Sequence, residues 1–307
     1  MEIMKGVSIV ICCYNSAKRL PETIKHLSLQ GIPNEVAWEV IIVNNNSTDN
    51  TKDTALNQIL KYEILTNRYK IIDEPLPGLN YARRKGGFTA KYNHIIFCDD
   101  DNWLSKDYIT NINKIFNKYE ALGIIGARNT YGVYEEPPKK WFLNHKHLCA
   151  IDEDNEEDII GFSNEDKFMV FGAGMAIRKT IVIDYFLSVN KNVISDRTKD
   201  LLLSGGDTDM NHFALQSGYG IGKFISLHLS HYMPRERLNK HYLRKLAYGL
   251  SYSSALVAKK NRLPLQKWSN LGLIKHLLVL LFTRGFFSCS IVLQQNKGFR
   301  KGLKHLQ

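Results

Sequence analysis

Val7-Ser8-Ile9-Val10-Ile11-Cys12-Cys13 is a nearly unbroken apolar run of strand length, and Tyr14-Asn15-Ser16 closes it with polar residues. A strand with one wet face alternates apolar and polar side chains, whereas a strand covered on both faces does not. The run therefore predicts a buried strand in a sheet that carries helices on both sides. Outward from it, Leu20, Ile24 and Leu27 recur at helical spacing, with Pro21 near the helix start. Trp38–Val43 repeats the buried-strand pattern, and Asp49 is placed to cap a helix whose apolar face is Ala55, Leu56, Ile59 and Leu60. Tyr69–Ile72 and His94–Cys98 read as further strands, separated by a helix over Leu79–Lys91 that tolerates Gly86-Gly87. Ser105–Ala121 then reads as helix and Gly123–Ala127 as strand.

This alternation predicts an α/β fold of βαβ units with a mostly parallel central sheet flanked by helices. Ligands of such sheets sit beyond the carboxyl ends of the strands. Chemistry is thus expected in the loops after Cys13, Val43 and Cys98. The pattern lapses over Thr130–Lys167, where the acidic run Asp152–Asp158 reads as a solvated loop. Phe168–Ile177 resumes apolar character, Leu201–Gly220 opens with glycines and continues as helix, and Ile221–His231 is strand-like.

Two expected sites follow. In Phe97-Cys98-Asp99-Asp100-Asp101-Asn102-Trp103, three adjacent carboxylates follow a buried strand, where they repel one another and lose hydration. A divalent cation bridging a diphosphate relieves that cost, since Mg²⁺ and Mn²⁺ prefer oxygen ligands. A capping acid with two solvated neighbours is the alternative. In Val43-Asn44-Asn45-Asn46-Ser47-Thr48-Asp49, side-chain amides offer both donors and acceptors to a nucleobase edge, or simply form a polar turn.

These segments, with Gly78-Leu79, Ala82-Arg83, Gly172-Ala173-Gly174, Gly205-Gly206-Asp207-Thr208-Asp209 and His231–Tyr242, resemble the family-two inverting glycosyltransferases of GT-A fold. The resemblance spans residues 6–250. It implies a GT-A catalytic domain over residues 1–234, with a donor half ending near 127 and an acceptor half from 128, followed by a basic helical extension over 235–307. By matching positions it places Tyr14 and Asn44 at the nucleoside, Asp99 near the ribose or sugar, and Arg83 close to the donor at the diphosphate; Asp100 is counted among the substrate-binding residues. Asp101 is the implied metal ligand, for Mg²⁺ or Mn²⁺, and Asp207 the implied general base, with Asp209 as its alternative. His231 is a second candidate metal ligand, and Arg235 and Arg237 candidate phosphate contacts. The sequence departs from the family pattern at Asn44, commonly Asp, and at Gly206, commonly Glu. The implied activity is hexosyl transfer with inversion from a nucleotide-sugar donor, expected to be a UDP-sugar, to a glycan or lipid-linked acceptor in surface polysaccharide synthesis. A sugar-phosphate nucleotidyltransferase and a degenerate nucleotide-sugar-binding protein are the rival readings. The former calls for a glycine-rich basic loop after the first strand, where Cys13-Tyr14-Asn15 stands.

The 307-residue chain carries a net charge of +11, but unevenly. Residues 235–307 hold 15 lysines and arginines against one acid, Glu236, whereas residues 1–234 hold 26 against 29 acids. The basic part includes Leu271–Leu293, an apolar stretch interrupted by Lys275, His276 and Arg284. No run free of charge or histidine there reaches about 18 residues, which disfavours a spanning helix and favours a position on an anionic membrane surface. Packing on the body or pairing with a second copy is the alternative. No nucleic-acid-binding motif accompanies the charge. The 44% hydrophobic composition excludes wholesale disorder. Five cysteines without zinc spacing fit buried thiols in a reducing compartment. With Met1–Gly6 leading straight into a strand, the expected location is cytoplasmic, on the inner face of the plasma membrane.

Overall fold

A computed structural model describes residues 4–166, 168–188, 202–265 and 269–305; Lys167 and Leu201, at the edges of two stretches read above, lie outside them. In β1 (Met4–Cys13), Val7, Ile9, Val10 and Ile11 are each 0% exposed, as a strand covered on both faces requires. Because side chains alternate along a strand, the run serves two cores. Val7, Ile9, Ile11 and Cys13 join one, with α1 (Leu20–Ser28), α2 (Thr51–Ile59) and α5 (Tyr108–Lys118). Val10 joins the other, with α4 (Leu79–Thr89) and α7 (Lys179–Ser188). Leu20, Ile24 and Leu27 are the buried face of α1, and each such side chain is worth about 1.5–3 kcal/mol on full burial.

β2 (Trp38–Asn45) and β4 (Tyr92–Asp99) flank β1 in parallel, and β3 (Tyr69–Glu74), preceded by the single turn α3 (Glu63–Thr66), pairs parallel with β2. Beyond β4 the sheet changes direction. β8 (Met175–Arg178) lies antiparallel between β4 and β6 (Leu122–Tyr134). β5 (Asn102–Leu104) and β7 (Ile159–Gly161) both pair antiparallel with β9 (Gly220–Met233). The sheet order is β3-β2-β1-β4-β8-β6-β9-β5. β3, β2, β1 and β4 thus pair in parallel and β8 is antiparallel to both its neighbours, so the sheet as a whole is mixed. An apolar run records that both faces are covered, and carries nothing about the direction of its neighbour.

Gly86 and Gly87 do not interrupt α4; they let it lie close to the sheet. A Cβ on Gly86 would stand 2.2 Å from Val10 Cγ1 and 3.1 Å from Val43 Cγ2, and one on Gly87 2.6 Å from Val182 Cγ1. Ala82, Arg83, Gly86, Gly87 and Ala90 form the buried side of this segment.

The acidic run is partly a structural strap rather than a wholly solvated loop. Asp152 pairs with Lys223 at 2.9 Å and Arg128 at 3.5 Å, and Asp158 accepts a hydrogen bond from the Ile225 N–H at 2.7 Å. Lys223 is only 3% exposed. Although partial burial opposes it, hydrogen bonds from Lys223 and Asn155 hold the Asp152 carboxyl below its ordinary value of 3.8. A depressed carboxyl adds stability above its unfolded pKa, and that stability is lost as pH falls through the folded value. Melting temperature should thus fall more steeply as pH drops below about 4 in the wild type than in Asp152→Asn. At pH 7, Asp152→Ala should destabilise by about 1–3 kcal/mol, below the range for fully buried pairs because Asp152 is partly exposed.

The chain divides into two compact units, and not at residue 234. One comprises Met1–Val133, Ala150–Val193 and Met210–Tyr232; the other comprises Tyr134–Cys149, Ile194–Asp209 and Met233–Gln307. Among the described residues, Tyr134–Cys149 and residues 202–209 fall in the same unit as the C-terminal helices, although both precede residue 234. In this second unit, α6 (Lys140–Leu143) places Trp141 against Phe287, ring centroids 5.0 Å apart, and His145 Nε2 lies 3.0 Å from Ser288 Oγ. α8 (Gly206–Gln216) begins in it. Its frame is α9 (Lys240–Lys260) with α10 (Asn270–His305). Gly298 and Gly302 let α10 approach the α9 backbone, since a Cβ on either would fall 2.2 Å or 2.5 Å from the Tyr248 or Tyr252 carbonyl oxygen.

By length and composition α10 passes for a membrane-spanning helix. It does not run straight. Gly285, at φ 77 and ψ 178, adopts a backbone conformation essentially reserved for glycine. Arg300 Nη2 donates to Asn270 Oδ1 at 3.0 Å, and Cys289 Sγ lies 3.4 Å from the Leu277 carbonyl oxygen. In a straight helix Asn270 and Arg300 would be about 45 Å apart. The chain doubles back at Gly285 into two arms, 270–284 and 286–305.

Candidate active site

The register of the parallel strands aligns the candidate residues. Cys13 is opposite Asn44, Cys12 opposite Asp99, and Asn44 opposite Asp73, all at the carboxyl ends. The loops after β1 and β2 are joined by hydrogen bonds. Asn15, at φ 48, accepts from the Thr48 N–H at 2.8 Å, the Ser16 N–H donates to Thr51 Oγ1 at 2.7 Å, and the Ala17 N–H donates to Asp49 Oδ2 at 3.1 Å. Asp49 therefore ties two loops together as well as receiving the Thr51 N–H at 3.0 Å. This leaves Tyr14 at the tip, 48% exposed and open to a ligand.

The three carboxylates after β4 have different surroundings. Asp100 is held by Arg19 of α1, Nη2 to Oδ2 2.5 Å and Nε to Oδ1 3.2 Å, while its carbonyl accepts from Thr23 Oγ1 at 2.8 Å. A fork-to-fork pair of this kind fixes the loop, and it engages the carboxylate expected to meet the donor. Asp101 is 2% exposed, with Oδ1 3.5 Å from His231 Nε2 and 3.2 Å from Asn102 Nδ2. Asn102 is opposite His231 across the β5–β9 pair, and its Oδ1 accepts the Asp99 N–H at 3.2 Å, so one amide spans the loop. Burial pushes the Asp99 carboxyl up to about 6; Arg83 pulls it down and Asp101 pushes it up. Asp100 is raised as well, by burial and then by Asp101.

Two carboxylates and an imidazole thus share a small volume that favours added positive charge. Adjacent ligands of an octahedral ion bound at about 2.1 Å stand roughly 3 Å apart, so the 3.5 Å between Asp101 and His231 suits two ligands of one cation with slight adjustment. Among the described residues no group of three or more His, Cys, Asp or Glu side chains is arranged to hold a metal. The pair fits an ion whose remaining positions are filled by phosphate oxygens and water, the usual state of Mg²⁺.

Arg83 reaches this edge because Gly86 and Gly87 press α4 onto the sheet. It is 3% exposed, 5.7 Å over the Phe97 ring, and its charge acts on Asp99 and Cys12. Asn45 secures the helix start, accepting the Gly78 N–H at 2.9 Å and donating to the Leu76 carbonyl at 2.6 Å. Asn44 Nδ2 donates to Asp73 Oδ1 at 2.9 Å, and Lys52 holds the other Asp73 oxygen at 2.5 Å. Those two hydrogen bonds, Lys52 first, keep the Asp73 carboxyl below its ordinary value. With its NH₂ committed, Asn44 has a buried Oδ1 with no hydrogen-bond partner among the described residues.

Asp207, Arg235 and Arg237 lie in the second unit. Asp207 stands in the first turn of α8, its Oδ1 accepting the Thr208 N–H at 2.8 Å. Asp209 is 1% exposed and bound by Lys260 Nζ and by Asn261 Nδ2, the latter at 2.9 Å, which occupies the alternative base. The segment before them rests on α9. A Cβ on Gly249 would lie 2.2 Å from the Leu202 carbonyl oxygen, and the Ser204 N–H donates to Ser253 Oγ at 3.2 Å. Arg235, 74% exposed, pairs with Glu136 at 2.9 Å, so its guanidinium is engaged by a carboxylate.

The first unit thus contains Tyr14, Asn44, Asp99, Asp100 and Asp101 at the strand ends and loops of the carboxyl edge, with Arg83 on α4 and His231 on β9. Sequence reasoning missed Arg19, Asp73 and Lys260 as partners. A lone cation far along the chain gives no signal of its own, although Asp73 ends a strand beside Asn44 and was open to the same reading.

The glycosyl transferase family 2 model matches residues 8–186. The poly-beta-1,6-N-acetyl-D-glucosamine synthase of Staphylococcus epidermidis is 27% identical over 124 residues, 40% of this chain and 28% of that one. The chain spans less than a third of the length of this and the other most similar curated relatives. Among solved structures, S. aureus TarS 1-349 in complex with UDP-GlcNAc shares the fold at TM-score 0.56 and 17% identity, over 98% of this chain and 80% of that one. The mannosyltransferase PcManGT from Pyrobaculum calidifontis, in complex with GDP-Man and Mn²⁺, does so at TM-score 0.61 and 14% identity, over 99% and 74%. With its mixed sheet, carboxyl-edge acids and a match over more than half its length, the chain belongs to glycosyl transferase family 2, with a GT-A-like fold.

Proposed function

We propose that this protein is an inverting glycosyltransferase that moves a sugar from a nucleotide-sugar, of which a UDP-sugar is our choice, to a hydroxyl of a glycan or lipid-linked acceptor. The product would be a surface polysaccharide, made at the cytoplasmic face of the plasma membrane. The observation that carries the reading is the cluster of Asp99, Asp101, His231 and Arg83 at the carboxyl end of β4. Similarity to a polysaccharide synthase, and the nucleotide-sugars named with TarS and PcManGT, support the substrate classes.

Tyr14 would stack on the base. Asn44 would serve it as an acceptor, because Asp73 occupies its donor group and leaves Oδ1 for an imide N–H. The amide then does what a carboxylate does at that position in the family. Asp101 and His231 would hold Mg²⁺ or Mn²⁺, which when bound neutralises charge on the departing diphosphate. Arg83 would add a fixed positive charge from the side of α4, needing no reorganisation as the sugar–phosphate bond breaks. Asp207 would take the proton of the attacking hydroxyl, a poor nucleophile at neutral pH without a base. A single displacement from the face opposite the nucleotide inverts the anomeric centre, as in inverting glycoside hydrolysis.

The test is a panel of nucleotide-sugars with Mn²⁺ or Mg²⁺, read by binding, by slow donor hydrolysis, and by the anomeric configuration of the released sugar. Binding of at least one donor, with inverted product, is expected. A wild type that binds no nucleotide-sugar, or a retained configuration, would refute the reading.

A further inference from the structure

We propose that the doubled-back helix α10 is a lipid-inserting hairpin whose first arm lies in the interface of an anionic bilayer, with Phe282 and Phe286 reaching the acyl chains. This rests on the peripheral-membrane part of the function proposed above and adds to it the inserting element, its depth and its lipid.

Leu271, Ile274, Leu278 and Phe282 follow one another at steps of three, four and four residues, one face of a helix. All four are exposed, at 63%, 55%, 52% and 86%, and Phe286 beside the bend is 83% exposed. Side chains of this size are seldom left open together on a soluble surface. The second arm does not share that exposure. Phe287 is 9% exposed and packs edge-to-face against Trp141, and Gly298 and Gly302 fit against the α9 backbone. The second arm is therefore the anchor, and the first arm with the bend is the free edge.

Geometry excludes a span. The first arm has 15 residues, about 22 Å of helix, against roughly 30 Å of hydrocarbon. The second carries Lys297, Arg300, Lys301 and Lys304. Gly285 turns what would be one long apolar helix into a short wedge.

Charge selects the occupant. From Arg237 to the end of the chain there is no Asp or Glu, while Lys275 lies within the first arm, between Ile274 and Leu278, and Arg284 follows Phe282. A second copy docking face to face would set two strongly basic units against each other. An anionic leaflet satisfies both features, with acyl chains for the aromatics and headgroup phosphates for the cations.

The full chain should co-sediment with phosphatidylcholine vesicles containing phosphatidylglycerol, and much less with phosphatidylcholine alone. Phe282→Ser with Phe286→Ser, both exposed and so without effect on the melting temperature, should lower partitioning at least about tenfold, as loss of buried apolar area predicts. In Phe282→Trp, lipids brominated along the acyl chain should quench the added fluorescence. Wild-type-like sedimentation of the double serine variant would overturn the hairpin alone and leave a purely electrostatic attachment. Failure of the wild type to bind either vesicle would remove the peripheral-membrane reading too. A lipid-free dimer that the same double substitution dissociates would assign the face to a second copy instead. Donor binding, measured in parallel, should be unchanged in every variant.

Discussion

Asp207→Asn is expected to lower sugar transfer by about 10²–10⁴-fold, the usual worth of a general base, with nucleotide binding essentially unchanged. The residual rate should be low because the neighbouring carboxylate is not available to substitute. Asp209 is 1% exposed and engaged by Lys260 and Asn261, so its oxygens serve the link to α9. Asp209→Asn should act differently. It removes one half of a largely buried ion pair and lowers stability, by about 1–3 kcal/mol once the 30% exposure of Lys260 is allowed for. Initial rates with a labelled donor, taken with melting curves of both variants, separate the two roles. An active Asp207→Asn beside a folded but inactive Asp209→Asn would exchange them.

Gly86→Ala should destabilise the protein by about 1–3 kcal/mol, the usual cost of an added methyl in a packed core. The new Cβ would lie 2.2 Å from Val10 Cγ1 and 3.1 Å from Val43 Cγ2, both buried β-branched side chains with little freedom to yield. Strain at that point must lift α4 from the sheet, and Arg83 sits three residues earlier on the same buried side. The donor KM should therefore rise together with the loss of stability. Lys85→Ala, on the exposed side of the same helix, is the control and should change neither. A melting temperature for Gly86→Ala within about 1 °C of wild type would show that α4 does not lie as close as described.

β1, β2 and β4 were legible because an apolar run without alternation has one physical meaning, cover on both faces. Their order places Asn44 and Asp99 on one edge before any contact is known. What stayed hidden depends on partners distant in sequence. Asp100 reads as a donor contact until Arg19, 81 residues earlier, closes on it. Asp209 reads as a spare base until Lys260 does the same from 51 residues later. Asp152, within an acid-rich run, looks solvated until Lys223 is found buried beneath it. Gly86-Gly87 and Gly285 show the limit from the other side. The same residue type closes the packing of one helix and folds another in half, and only the atoms around each distinguish the two.

On this reading the carboxyl edge of β4 binds a nucleotide diphosphate together with a divalent cation through Asp101 and His231. The deciding measurement is calorimetric titration of UDP and of GDP, with and without Mn²⁺, into wild type and Asp101→Asn. Wild type should bind one of the nucleotides at least about tenfold more tightly with Mn²⁺, as expected when carboxylate and diphosphate share the ion. Asp101→Asn should lose that gain while keeping the wild-type melting temperature. Equal gains from Mn²⁺ in both proteins would contradict it.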